Sequence, residues 1–182
     1  MIELETENLI VRNHLESDWN DLYDYLSMDE VYEFEPGQPI AKVTAIELAK
    51  QRAGGNDFFA AVLKATGRMI GHMYFHQTEP EEFLTWELGY IFNPAYHNKG
   101  YCTEASAALL SFGFERLGAH KVVAFCDPRN TASWKVLEKL GMEKEGHFKQ
   151  KAFFRRDDNG EPLWHDCLAY GILSNRRQMK RL

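Results

Sequence analysis

Thr85-Trp86-Glu87-Leu88-Gly89-Tyr90-Ile91-Phe92-Asn93-Pro94-Ala95-Tyr96-His97-Asn98-Lys99-Gly100-Tyr101-Cys102-Thr103-Glu104-Ala105 is the stretch on which the fold turns. Its first eight residues read as a strand. Alternation puts Trp86, Leu88, Tyr90 and Phe92 on one face and Glu87 and Gly89 on the other. Asn93-Pro94 stops it, because proline cannot donate to a ladder. A polar loop with Gly100 follows. Then Ala105, Ala108, Leu109 and Phe112 recur at helical spacing, predicting a helix over about 103–117. A compact apolar run at 122–126 reads as the next strand. Strand, helix, strand in that order implies a right-handed crossover and a parallel pair.

Outward from this unit the elements are shorter. Leu9-Ile10-Val11 is a β-rich run, and Ser17 is placed to cap a helix carrying Trp19, Leu22, Tyr23 and Leu26. Pro36-Gly37 and Pro39 mark a loop. Thr44 with Glu47 reads as a capping box opening a second helix toward Arg52, which Gly54-Gly55 ends. Runs at 58–63 and 69–77 flank a turn and form a hairpin candidate. Asn130 caps a helix over 131–140, with Gly141 as its left-handed end residue. Strands near 143–153 and 164–172 surround the turn Asp157-Asp158-Asn159-Gly160. The expectation is a single α/β (α+β) domain over residues 1–182. It is a mixed, twisted sheet of about six to seven strands flanked by about four helices.

Composition narrows the function classes. A chain of 182 residues suits one domain. With 45% hydrophobic and 26% charged residues, it has the balance of a chain that folds around a core. The net charge of −6 disfavours nucleic acid as a partner, since such binders need basic density. Arg176, Arg177, Lys180 and Arg181 read as a solvated tail. Cys102, Cys126 and Cys167 are odd in number and widely spaced, so neither a disulfide framework nor a zinc site is expected. His72 and His76 share a strand face too far apart for a metal pair and read as surface residues. Met1-Ile2-Glu3-Leu4-Glu5 is unlike a signal peptide. No apolar run approaches the length of a membrane span. No membrane partner and a cytoplasmic location are therefore expected.

The loop His97-Asn98-Lys99-Gly100-Tyr101-Cys102 has the makings of an anion site. Successive N–H groups at a helix N-terminus point one way, aided by the helix dipole, and glycine lets a phosphate approach the backbone. Neither Gly-x-x-x-x-Gly-Lys-Ser/Thr nor Gly-x-Gly-x-x-Gly is present, so triphosphatase and dinucleotide-binding readings fail.

Several segments together resemble the GNAT superfamily of N-acetyltransferases. Glu87-Leu88-Gly89-Tyr90, Asn93-Pro94-Ala95-Tyr96, Lys99-Gly100-Tyr101 and Thr103-Glu104-Ala105 resemble its acetyl-CoA motif. Cys126 to Ser133 and Val136 to Met142 resemble its second motif. The opening Leu4 to Arg12 and Trp164-His165-Asp166 are similar to the RimJ/RimL subgroup. The match covers nearly the whole chain in order. It implies a GNAT fold with a central splayed parallel pair, and acetyl-CoA as co-substrate without a metal. The backbone near Ile91 and Phe92 would hold pantetheine. His97, Asn98, Lys99, Gly100, Tyr101, Cys102 and Thr103 would cradle the pyrophosphate, and Asn130 would contact the coenzyme or cap its helix. Gln/Arg and Gly/Ala are usual where this chain has His97 and Cys102, and glycine is common where it has Asn98.

Acetyl transfer needs a neutral amine, a polarised thioester and a protonated leaving thiol. Glu87 is a candidate base inside an apolar strand, or an anchor for the substrate. Many relatives carry a tyrosine acid where this chain has Leu137. The resemblance makes Ser133, one turn earlier, the nearest substitute beside the sulfur. Cys102 sits at a helix N-terminus, where a thiol pKa can fall. No histidine is an obvious partner for it, so direct transfer in a ternary complex is expected over an acyl-enzyme. The acceptor is a protein N-terminal amine, for instance a ribosomal one, or a small amine such as a polyamine, an aminoglycoside or an amino-acid-like metabolite. An α-amine, about 7.7–8.0 against about 10.4 for lysine, asks less of a weak base. A non-catalytic acetyl-CoA-binding module is the reading from another class. The chain would act as a monomer or a homodimer.

Overall fold

The computed structural model describes residues 2–175, so the basic tail from Arg176 lies outside the described residues. Eight strands form one sheet: β1 (Glu3–Glu5), β2 (Leu9–Asn13), β3 (Phe58–Leu63), β4 (Met69–Gln77), β5 (Thr85–Phe92), β6 (Lys121–Cys126), β7 (Glu143–Arg156) and β8 (Pro162–Leu173). Their order is β1-β2-β3-β4-β5-β6-β8-β7. Only β5 and β6 are parallel; the other neighbours are antiparallel. The strand added to the seven legible in the sequence is β1, three residues long and too short for a periodic signal.

Four α-helices are described: α1 (Trp19–Leu26), α2 (Lys42–Ala53), α3 (Tyr101–Arg116) and α4 (Thr131–Lys139). They cover the two faces of the sheet. Leu109 and Leu110 of α3 and Leu137 of α4 pack on Met73, Phe75, Trp86, Leu88, Val122 and Ile172. Leu22 and Tyr25 of α1 and Ala49 of α2 pack on Ala60, Val62 and Met69. Burial on β5 alternates as expected, with Trp86, Leu88 and Phe92 buried toward α3.

The helix starts differ from the sequence reading. Ser17 is exposed within a 3-10 turn and does not cap α1. The local anchor is buried Asp18, which accepts from Leu15 N at 2.8 Å and takes a two-pronged bond from Arg12, both at 2.8 Å. A paired guanidinium satisfies a carboxylate that a serine cap would leave in the core. Thr44 does not start α2 either. The helix begins at Lys42 behind Ala41, with no side-chain cap. His72 is buried, not on the surface. Its Nδ1 lies 2.6 Å from the Tyr25 hydroxyl, and burial pushes its pKa well down, which keeps it neutral. Asn130 and Gly141 behave as read: Asn130 Oδ1 accepts from Ser133 N, and Gly141 has φ of 80°.

Helix α3 approaches the sheet closely at Gly113, where a Cβ would stand 2.6 Å from Phe75 Cζ. Phe75 is 3% exposed and has nowhere to turn. Gly113→Val should therefore destabilise the fold by roughly 1–3 kcal/mol through overpacking. Urea denaturation would read this as a lower midpoint at unchanged slope.

Candidate active site

Strands β5 and β6 share only three residue pairs, Thr85↔Lys121, Trp86↔Val122 and Glu87↔Val123. Beyond Glu87 they part. β5 stays on β4 as far as Phe92↔Gly71, and β6 stays on β8 as far as Cys126↔Leu168. A wedge opens between residues 88–92 and 124–126, lined by backbone edges that the ladder leaves unpaired. Both α3 and α4 begin at its wide end. A crevice at the carboxyl ends of strands, under two helix N-termini, is where an α/β sheet takes a ligand.

The first wall is the loop after β5. Asn93 Oδ1 accepts from Ala95 N at 3.0 Å and turns the chain. His97 does not extend outward: its Nε2 lies 2.9 Å from the Phe92 carbonyl oxygen and closes the loop from within. Lys99 Nζ donates to Ala95 O at 3.2 Å. Asn98 and Gly100 take left-handed φ angles of 60° and 83°. Such a turn orients successive N–H groups toward one point. Helix α3 opens at Tyr101, two residues before the expected 103. Its first backbone bond runs from Glu104 N to Gly100 O, and no side chain caps it. The N–H groups of Tyr101, Cys102 and Thr103 thus precede the helical ladder. A Cβ on Gly100 would meet nothing within 4 Å, so the approach to those groups is open. These features fit a pyrophosphate held by backbone, with Lys99 as a nearby positive charge. Glu104 fixes the helix start from behind, accepting from Thr6 Oγ1 and Asn8 N.

The second wall is the start of α4. The Tyr90 hydroxyl reaches across from β5, donating to Ser133 O at 3.0 Å and lying 3.2 Å from Ser133 Oγ. Leu137, one turn on, is 1% exposed and belongs to the core. A phenol therefore stands beside Ser133, but it comes from the facing strand. Asn130 uses Oδ1 in its cap, which leaves its amide N–H groups for another acceptor. Burial pushes the Cys102 thiol up to about 12 and the Cys126 thiol up to about 11. Its place at a helix N-terminus does not leave Cys102 lowered, because burial disfavours the thiolate.

Glu87 is half-buried at the apex of the wedge, facing the α1/α2 side, opposite Tyr90. Burial raises its carboxyl, and His76, its cross-strand neighbour on β4, lowers it again in part. On that side a cavity of about 150 Å³ opens at the end of β6, bounded by the α1–α2 loop and the β7–β8 pair. Its floor is an ion network. Asp127 accepts from Arg129 at 2.7 and 3.0 Å and is bonded to His165 Nδ1 at 2.7 Å. Arg129 lies 5.7 Å over Phe34 and ties the loop to this floor. Asp166 accepts from His147, Lys149 and Gln150 N.

Three parts of this arrangement escape sequence reasoning. Tyr90 reads as one more core aromatic of its strand. Asp127 and His165 are 38 residues apart. Glu35, which lines the cavity, lies in a loop legible only by its prolines and glycine. Among the described residues no group of three or more His, Cys, Asp or Glu side chains is disposed to hold a metal, and no helix is long and apolar enough to cross a membrane.

Comparison with known proteins agrees with this geometry. Residues 8–143 match the family model described as an acetyltransferase (GNAT) domain. The chain is 34% identical over 173 residues to the uncharacterized N-acetyltransferase YnaD of Bacillus subtilis, covering 94% of this chain and 97% of that one. It is 27% identical over 161 residues to the [ribosomal protein uS5]-alanine N-acetyltransferase of Escherichia coli, covering 81% of each. The solved structure of a GNAT-family acetyltransferase from Bacillus anthracis superposes with a TM-score of 0.86 at 32% identity, covering 96% of this chain and 99% of that one. With the splayed pair, the two helix N-termini and a family match over most of its length, this chain belongs to the GNAT acetyltransferases and is an acetyl-CoA-dependent N-acetyltransferase.

Proposed function

We propose that the enzyme moves the acetyl group directly to a primary amine while both substrates are bound. The observation that carries this reading is the wedge left where β5 and β6 stop pairing, with candidate groups on each face of the sheet. The anion loop and Ser133 stand on the α3/α4 side, and Glu87 and the cavity on the other. Acetyl-CoA supplies the activated acyl group. Its pyrophosphate lies on the N–H groups of Tyr101, Cys102 and Thr103, its pantetheine along Ile91 and Phe92, and Asn130 donates to it from the cap of α4. His97 contributes by shaping the loop.

As the thioester carbon passes to nitrogen, negative charge gathers on sulfur. Ser133 Oγ, held by Tyr90, donates to that charge. Glu87 acts on the amine side, taking a proton through water or holding the ammonium. Both nearby thiols stay protonated near neutral pH, because their values of about 12 and about 11 lie far above it. This supports direct transfer over an acyl-cysteine.

The acceptor we favour is an N-terminal α-amine of a protein, such as a ribosomal protein. The relative that acts on the uS5 alanine supports this, and so does the modest strength of the available bases. A polyamine or other small amine is the competing acceptor class. The protein would work in the cytoplasm, as a monomer or homodimer. Incubating it with acetyl-CoA and a panel of peptides and small amines, then measuring acetyl mass gain, tests the reading. No gain on any amine would overturn it.

Gly100→Asp should weaken acetyl-CoA binding at least about tenfold by titration calorimetry, since a carboxylate would face the pyrophosphate. Binding as tight as wild type, in a folded variant, would misplace the loop. Ser133→Ala should lower kcat about 10–100-fold with little change in acetyl-CoA affinity, because its hydrogen bond strengthens only as charge develops. Cys102→Ser and Cys126→Ser should each keep transfer. A stable acetyl adduct on wild type that disappears in either variant would contradict direct transfer.

A further inference from the structure

We propose that Glu35, on the α1–α2 loop, is the base that receives the ammonium of the acceptor and takes its proton. The assignment deepens the amine-transfer reading above and rests on it. Four observations lead there. Glu35 lines the cavity together with Cys126 and Asn130, the residues that end β6 and start α4. Its carboxylate makes no hydrogen bond or ion pair among the described residues, whereas Asp127 and Asp166 in the same cavity are bonded to cations. Its charge is felt at Tyr90 and at the Cys126 thiol, the two groups that flank the Ser133 hydroxyl. The charge of Glu87 is felt at Tyr74, on the neighbouring strand, and at Cys167.

The loop is held in place for such a role. The Tyr32 hydroxyl donates to Leu26 O at 3.0 Å, and Phe34 is covered by Arg129. Glu35 therefore sits on a braced segment between two fixed aromatics and Pro36. Groups of either sign face it: Lys151 from β7, His165 and Asp166 from β8, Cys126 and Asp127 at the end of β6, and Tyr90 from β5. Arg129 is committed to Asp127, and among the described residues no cation pairs with Glu35. Burial therefore dominates and raises its carboxyl to about 7. A carboxylate there attracts an ammonium and is basic enough to accept its proton near neutral pH.

The step balances. One ammonium proton moves to Glu35, leaving a neutral amine. Its lone pair forms the new C–N bond and the C–S bond breaks. The thiolate, hydrogen-bonded by Ser133, keeps the electron pair and takes the second nitrogen proton, and Glu35 returns the first to solvent. Glu87, with His76 beside it, anchors the ammonium from the apex and does not take the proton.

The test follows transfer from acetyl-CoA to an alanine-initiated peptide and to spermidine, from about pH 6 to about pH 9. In the wild type, kcat/KM should rise as Glu35 loses its proton through about 7 and then level off. Glu35→Gln should fall about 100-fold or more near neutrality and lack that break. Its rate should keep climbing toward the pKa of the amine itself, so its deficit narrows with pH. Glu35→Asp, which keeps a carboxylate, should regain part of the rate and the break. Glu87→Gln should show a deficit constant with pH, and acetyl-CoA affinity should be unchanged in the Glu35 variants. A folded Glu35→Gln with the wild-type rate, or with a pH-independent loss, would overturn the assignment while leaving the acetyltransferase reading intact. Wild-type protein that binds acetyl-CoA and acetylates neither amine would overturn both.

Discussion

Everything in this molecule answers to the parting of β5 and β6 after Glu87↔Val123. Two strands that stop pairing inside a sheet leave polar backbone groups in its middle, and such groups cannot stay unmet at low cost. The fold keeps the gap open by holding each strand from its outer side. β4 follows β5 to its end, and β8, inserted out of chain order, follows β6 to Cys126. Gly71 allows the tightest part of that grip. A Cβ there would stand 2.6 Å from the Phe92 ring and 2.8 Å from the Ile91 carbonyl oxygen. The inner edges are then free for a ligand with amide groups of its own, and pantetheine is such a ligand.

The same parting divides the chemistry by face. On the α3/α4 side the fixed charges are backbone dipoles, which suit a ligand with several phosphates and need no cationic cluster. This agrees with a net charge of −6. On the α1/α2 side the carboxylates of Glu35 and Glu87 are each partly desolvated, and both are raised by burial. On the proposed reading, a positively charged amine would be drawn to that side and would lose its proton there. Donor and acceptor need not share a binding surface, only the gap in which they react.

Much of the first wall of the wedge was legible in the sequence as local structure. Strand β5, Asn93-Pro94, Gly100 and the start of α3 form one continuous stretch, and alternation, turn chemistry and helical spacing each act over a few residues. Asn130 as a cap was legible for the same reason. The failures are tertiary. Ser17 and Thr44 had the local chemistry of caps, but Asp18 with Arg12 and an uncapped start at Lys42 prevailed. His72 looked like a surface residue until α1 brought Tyr25 over it. The cavity combines a loop near residue 35, the end of β6 and the β7–β8 pair, and no periodicity links segments so far apart.

Where the resemblance leads one to expect a tyrosine on α4, this chain has Leu137, and the fold sets a phenol beside Ser133 from another element. Leu137 faces the core, at 1% exposure, and ties α4 to Leu109 and Ile172. A phenol at that position would have to reach the wedge from the helix. Here the phenol reaches it from the opposite strand, and Tyr90 spans the gap to both oxygens of Ser133. Burial raises the Tyr90 hydroxyl well above its ordinary value, so it is a poor proton donor in its own right. It remains a good hydrogen-bond donor, and a fixed one. Its contact also ties β5 to the start of α4 across the open part of the wedge. The hydroxyl proposed to stabilise the leaving sulfur is thus tied to the strand proposed to line the pantetheine. A change in the width of the wedge would move Ser133 and the thioester together.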